Sequence, residues 1–293
     1  MSATESAGTH APSAGEYIQH HLQHLQKNFD FESVKQTSIV DFSVFNLDSV
    51  FFSVVLGIVG CLVLWSAARK ATSGVPGRFQ AAVELLSEMV ENQAKGVIHN
   101  AKSRKLISPL ALTVFVWIFL MNAMDMLPVD LIPQIWHAAG PAMGFTDYMR
   151  VVPTADLSTT LGLSCSVLLI CVFYNIKIKG LGGWAHELIA APFGDHWALY
   201  PINFLMQMIE YLAKTVSHGM RLFGNMFAGE LVFMLIALMG GGWALSATGV
   251  GLAIGHIIAG TVWTLFHILV ITLQAFIFMM LTLIYTGQAH DAH

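Results

Sequence analysis

Arg221 is the residue whose position most needs a reason. In "SHGMRLFGNMFAGE" (Ser217 to Glu230) it has no other basic residue within six positions on either side, and its flanks, "INFLMQMIEYLA" and "LVFMLIALM", read as membrane helix. Arginine keeps its proton even in a low dielectric, so it cannot carry one by releasing it. An isolated arginine at mid-bilayer is costly, and water, a fixed carboxylate or a visiting carboxylate must offset it. A fixed positive charge between two polar clefts suits one task well. It forces a passing carboxylate to ionise by lowering its pKa, and it repels cations that would cross directly. Glu230 and His267 are titratable groups that can relay protons. No mobile carboxylate is evident in the chain, so a partner that supplies one is implied.

Helical geometry arranges these residues. With Arg221 at zero and 100° per residue, Ser217, Glu210, Lys214, Gln207 and Asn225 all fall within about 40° of it. They form a polar stripe. Glu230 falls near 180°, about 13.5 Å further along the axis. On the last apolar segment, His267 and Gln274 in "FHILVITLQ" are seven residues apart and share a face. If the two segments run antiparallel and Gln274 stands level with Arg221, His267 stands near Glu230. An outer polar region of Asn225, Glu230 and His267 results, fed by an acidic loop. Glu210 and Lys214 also fit side chains that snorkel toward the membrane surface, and His267 also fits a satisfied core histidine.

The elements that must position these groups are helices in a bilayer. The chain has 293 residues, 55% of them hydrophobic and only 11% charged, with mean hydropathy +0.64. A soluble domain carries about 25% charged residues. The composition therefore implies a multi-pass membrane protein. The net charge of −4 argues against nucleic-acid binding. Cys61, Cys165 and Cys171 lie in apolar stretches and read as packing residues, not a disulfide set or a metal site. His20, His21 and His24 have no acidic or cysteine partner nearby and read as solvated, so no metal or cofactor is expected. The glycines of "GLGGW" and 240–242 follow no strand; they read as turns, not phosphate loops. No signal peptide is visible at the N-terminus.

The predicted organisation is a polar N-terminal arm, residues 1–44, and a single membrane domain, 45–293. "GEYIQHHLQHLQKNF" in the arm fits a short amphipathic helix. Five crossings are predicted at about 50–68, 106–124, 157–176, 202–239 and 250–285, with an amphipathic interfacial helix within 75–103. The fold class is all-α integral membrane. The last two segments are too long for a ~30 Å hydrocarbon core, so they form a strongly tilted antiparallel hairpin. Seven of the fourteen Lys and Arg lie between the first two crossings, and Lys177 and Lys179 follow the third. Loop 125–156 holds Asp125, Asp130, Asp147 and Asp156 against one basic residue, Arg150. The positive-inside rule then places the N-terminus outside and the C-terminus in the cytoplasm.

The motifs "NAMDMLPVDLIP" (Asn122 to Pro133), "VVPTAD" (Val151 to Asp156), "IKIKGLGG" (Ile176 to Gly183), "MRLFGNMFAGEL" (Met220 to Leu231) and "FHILVITLQAFIF" (Phe266 to Phe278) together resemble the a subunit of F-type ATP synthases. The resemblance covers most of the chain from the second crossing onward. It implies a proton-conducting stator in a bacterial inner membrane, with no active site of its own. The implied partners are a ring of c subunits, the b subunits of the peripheral stalk and the soluble ATP synthase sector. Arg221 then corresponds to the essential stator arginine. Asn225, Glu230, His267 and Gln274 correspond to outer half-channel and arginine-proximal positions, with Asn122, Asp125, Asp130 and Asp156 on the outer loop side. Ser217 corresponds to an inner half-channel position. Gln207 stands where the family pattern implies a glutamate, and Glu210, one turn away, offers a carboxylate instead. His218 beside the stripe departs from the pattern and adds a titratable group. The connection through "ALSATGVGLAIGHIIAG" is longer than the pattern implies. The alternative is a self-contained secondary transporter with Arg221 binding an anionic substrate. Such folds show internal repeats and broken helices near the midplane, and no repeat relates the two halves here.

Overall fold

The structure is a computed structural model that describes residues 15, 18, 22–28, 32–33, 36, 41, 43–72, 74–128, 131–132, 135–136, 149–190, 192–194, 196–241 and 246–289. Asp130, Asp147, His20 and His21 lie outside the described residues. Among the described residues, six α-helices carry the architecture: α1 (Leu47–Arg69), α2 (Arg78–Val97), α3 (Ala101–Ala123), α4 (Leu157–Ala190), α5 (Tyr200–Gly241) and α6 (Ala247–Gln288). All but α2 are long and apolar enough to cross a membrane. The protein is an all-α membrane protein.

The helix ends follow from local chemistry. Asp48 and Arg69 sit at the first and last turns of α1, matching the helix dipole. Asn100 accepts the Lys102 amide and starts α3. Asp156 starts α4: one oxygen accepts the Ser158 amide at 3.0 Å, the other the Thr159 hydroxyl at 3.3 Å. The third apolar segment outruns its expected end at Ile176, because Lys177 and Lys179 do not stop a helix whose next residues favour it. The break comes at Gly180, whose φ of 74° and ψ of 164° are non-helical. Lys179 and Glu187 bridge that kink at 2.8 Å. Asn203 of α5 then donates to the carbonyls of Ile189, Ala190 and Gly194, satisfying the exposed C-terminal end of α4.

The chain divides into two compact units. The larger comprises Ser49–Leu127, Val152–Glu230 and Thr264–His293. Its core is built from Val90 and Ala94 of α2, from Ile107, Ala111, Ile118 and Met121 of α3, and from Leu222, Met226, Ala275, Met279 and Leu283 of α5 and α6. The α1 helix joins it through Trp117, whose indole N–H donates to the Ser53 carbonyl at 2.8 Å and whose ring lies against Gly57. Much of α1 is otherwise exposed apolar surface, including Phe51, Val54, Ile58 and Leu62. Such a surface belongs in lipid.

The smaller unit comprises Met1–Asp48, Pro128–Val151 and Leu231–Trp263. Here the amphipathic helix expected in the arm is corrected in part. Gln26–Asn28 (β1) is a strand, paired antiparallel with Val44–Asn46 (β2), with Lys27 opposite Phe45. Local helical spacing yields to the main-chain pairing that the returning segment offers. The ladder continues from Leu47 N–H to the Leu25 carbonyl at 3.0 Å.

Candidate functional site

Within the larger unit, α5 and α6 lie side by side and antiparallel. Lys214 reaches Gln288 at 3.0 Å, His218 stacks on Phe278 with ring centroids 3.8 Å apart, and Asn225 donates to Gln274 at 2.7 Å. The antiparallel expectation holds, with its register moved by a turn. Gln274 meets Asn225, one turn beyond Arg221. Gly229 is what lets His267 come in: a Cβ there would collide with the imidazole. His267 therefore lies against the α5 backbone immediately before Glu230.

The polar region around His267 is buried. His267 is 1% exposed, and its Nε2 lies 2.6 Å from Oδ2 of Asp125, which sits in the 3-10 turn Met124–Met126 that ends α3. Glu230 and Gln274 are buried as well. Asn122, one turn before Asp125, is fully buried, and neither end of its amide has a hydrogen-bond partner among the described residues. Thr154 repeats this in the 3-10 turn Pro153–Ala155 that packs against α3. A buried amide without a protein partner costs free energy that water can recover. Asp156 is buried and fully engaged as the α4 cap described above.

Arg221 differs from all of these. It is exposed, as are Ser217 before it and Asn225 after it. No carboxylate pairs with it among the described residues. The surface around it is apolar or small: Val216, Met220, Gly224 and Ala228 are exposed on the same helix. A permanent charge thus stands, with Ser217 and Asn225, on a helix whose other exposed residues nearby are apolar or small.

The stretch of the stripe before Arg221 is less uniform. Lys214 pairs with Glu210 at 2.6 Å, as helix neighbours four apart do. Both are at or near the surface, and Gln207 is half-buried. His218 leaves the exposed face for the core, between the rings of Phe278 and Tyr285. A small cavity beside it is lined by Ser164, Cys171, Lys214, Thr215, His218 and Tyr285 among others. No group of three metal-ligating side chains occurs among the described residues.

A family model described as "ATP synthase A chain" matches residues 50–287. The chain belongs to that family. It is 69% identical over 295 residues to "ATP synthase subunit a" of Acidovorax sp. (strain JS42), across 98% of this chain and 100% of the relative. Identity to the protein of the same name from Paracidovorax citrulli (strain AAC00-1) is 68% over 297 residues, with the same coverage. The one from Shewanella piezotolerans (strain WP3 / JCM 13877) is 48% identical, across 94% of this chain and 96% of the relative.

For this member of the ATP synthase A chain family, sequence reasoning selected the polar residues but missed two relations among them. The first is the contact between Asp125 and His267, whose segments are remote in the chain. The second is Gly229. The signal for it was in plain view: a glycine directly before the glutamate in "FAGEL" marks a close approach of another element. Gly219 is a parallel case, with Leu161 and the Thr160 carbonyl where its Cβ would be.

Proposed function

We propose that the protein is the proton-translocating stator of a bacterial ATP synthase, working beside a ring of partner subunits. The observation that carries this reading is the contrast along α5 and α6. An unpaired, surface-exposed Arg221 stands one turn before the Asn225–Gln274 contact. The buried constellation of His267, Asp125 and Glu230 follows further along.

Protons enter from outside and reach Glu230 and His267, with Asp125 holding the imidazole and the unmet amide of Asn122 available to water. They pass to a carboxylate on the partner ring, whose charge Arg221 has just stabilised. After a turn of the ring they leave past Ser217, Glu210 and Gln207 on the cytoplasmic side. Arg221 keeps the two paths apart, because its fixed charge repels a hopping cation and ionises the returning carboxylate. Asn225 and Gln274 fix the helix register beside it. The basic 69–105 segment orients the chain with the N-terminus outside and the C-terminus inside. The peripheral-stalk b subunits and the soluble sector complete the assembly.

The test is Arg221→Ala in the purified complex, reconstituted into vesicles. ATP-driven proton pumping should fall by at least about 100-fold, the scale of losing a preorganised charge at the reacting site, while the ring still co-purifies. Normal pumping in that variant overturns the reading.

A further inference from the structure

A second polar site lies between α2 and α3, away from the stripe of α5. It is a groove of about 480 Å³ lined by Ser87, Glu91, Ala101, Arg104, Lys105, Ser108, Pro109 and Leu112. Its chemistry is graded along α3. The first turns supply Ala101, Arg104 and Lys105; Ser108 follows, and Pro109 and Leu112 form the deeper, apolar end. From Ala101 to Leu112 this covers about 16 Å along the axis.

The polar end is built for an anion. The N-terminal amides of α3 and the side chains of Arg104 and Lys105 point the same way electrostatically. Glu91, the lone acidic residue of the lining, is already engaged: Arg104 Nε reaches it at 3.1 Å and Lys95 at 3.9 Å. Arg104 also donates to the Ile98 carbonyl, which fixes its guanidinium in the groove wall. Lys105 is exposed and has no partner among the described residues. Ser108 is only 9% exposed, and its hydroxyl has no partner among them either. Beside it, Pro109 supplies no N–H to the Lys105 carbonyl one turn back. The site therefore combines positive charge with a hydroxyl that has no partner among the described residues and a carbonyl without its usual helical donor.

The surroundings identify the source of the anion. Leu106, 57% exposed, faces outward just below Lys105, and Leu85 of the amphipathic helix is 68% exposed. Exposed apolar side chains beside lysines place the mouth of the groove at headgroup depth. A soluble phosphate would use the polar end and leave the apolar end empty. An amphiphile uses both.

We propose that this groove holds an anionic glycerophospholipid with a hydroxylated headgroup, such as phosphatidylglycerol. The phosphodiester lies at Lys105 and the α3 N-terminus, the headgroup hydroxyl pairs with Ser108 or the Lys105 carbonyl, and an acyl chain runs past Pro109 and Leu112. The bound lipid pins the amphipathic helix to the second crossing.

The experiment uses the intact complex in mixed phosphatidylethanolamine–phosphatidylglycerol nanodiscs, stripped with mild detergent and read by native mass spectrometry. The wild type should retain phosphatidylglycerol on this subunit. Lys105→Gln should lower retention about fivefold, the contribution of one basic residue near an anionic headgroup, and Lys105→Arg should restore it. Lys102→Gln, one turn away on the exposed surface, should leave retention within twofold. Equal losses in the two glutamine variants mean general surface charge and overturn the proposal. So do unchanged retention in Lys105→Gln, displacement of the lipid by inorganic phosphate, or a photocrosslinker at Ser87 that captures another subunit instead of lipid.

Discussion

Asp48 meets His24 at 3.4 Å, and Asp125 meets His267 at 2.6 Å, but the two carboxylates are held in unlike ways. In the smaller unit, Oδ2 of Asp48 accepts the main-chain amides of Leu25 at 3.0 Å and Arg150 at 3.1 Å. The far nitrogen of His24 is taken by the Arg150 guanidinium at 2.9 Å. Two main-chain donors hold this carboxylate in place, so it ties together three pieces of chain. In the larger unit, Asp125 and His267 meet side chain to side chain, next to an unsatisfied amide and against a glycine. No main-chain amide holds the Asp125 carboxylate among the described residues. The same two residue types thus make a clasp in one place and, on the proposed function, a relay in the other. What differs is whether the backbone has already claimed the carboxylate.

The comparison can be broken most sharply at His267. In reconstituted complex, His267→Ala should slow proton translocation about 1,000-fold, mid-range for a positioned proton-transfer group, with assembly intact. A rate within a few-fold of wild type would make His267 a core residue like any other. Next comes Asp48→Ala. Removing one partner of a buried charged network costs about 3 kcal/mol, so the Leu25 and Arg150 amides should exchange with solvent at least about 100-fold faster. The translocation rate per assembled complex should not change; a matching loss of transport would put both contacts in one class. A smaller effect is expected from Gly229→Ala. The added methyl pushes against the His267 ring, and overpacking of this kind costs about 2 kcal/mol. Transport should fall with little change in amide exchange around Asp48. His24→Gln should cost least, about 1 kcal/mol for one hydrogen bond, read as modestly faster exchange at Leu25. If it instead matched Asp48→Ala, the histidine and not the backbone would be the anchor of the clasp.

The sequence displays some of this and hides the rest for physical reasons. The five apolar runs are legible because a bilayer demands about 20 apolar residues per helix. Their ends are less so: α4 runs past Lys177 and Lys179 to its break at Gly180 and α3 begins at Ala101, since charged residues in an interface extend a helix as readily as they stop it. Spacing alone places Ser217, Arg221 and Asn225 on one face, and all three are exposed. It also brings His267 toward Glu230. Spacing does not show that Lys214 turns to Gln288 or that His218 leaves the surface to stack on Phe278. Those choices depend on which neighbour α6 presents. The two-residue-type contacts are hidden for the same reason, and so is the β1–β2 ladder: three residues a side carry no periodicity worth reading.

Arg221, exposed on its own subunit, has a consequence for biogenesis. Alone in the bilayer, the chain must drag water and headgroups toward a mid-helix guanidinium, a costly defect that the partner carboxylate of the proposed function relieves. The orphan subunit is therefore the least comfortable form of the protein. If Arg221 serves transport as proposed, the same residue also marks any copy that has failed to find its place, and it favours making this chain where the proposed ring partners are already waiting.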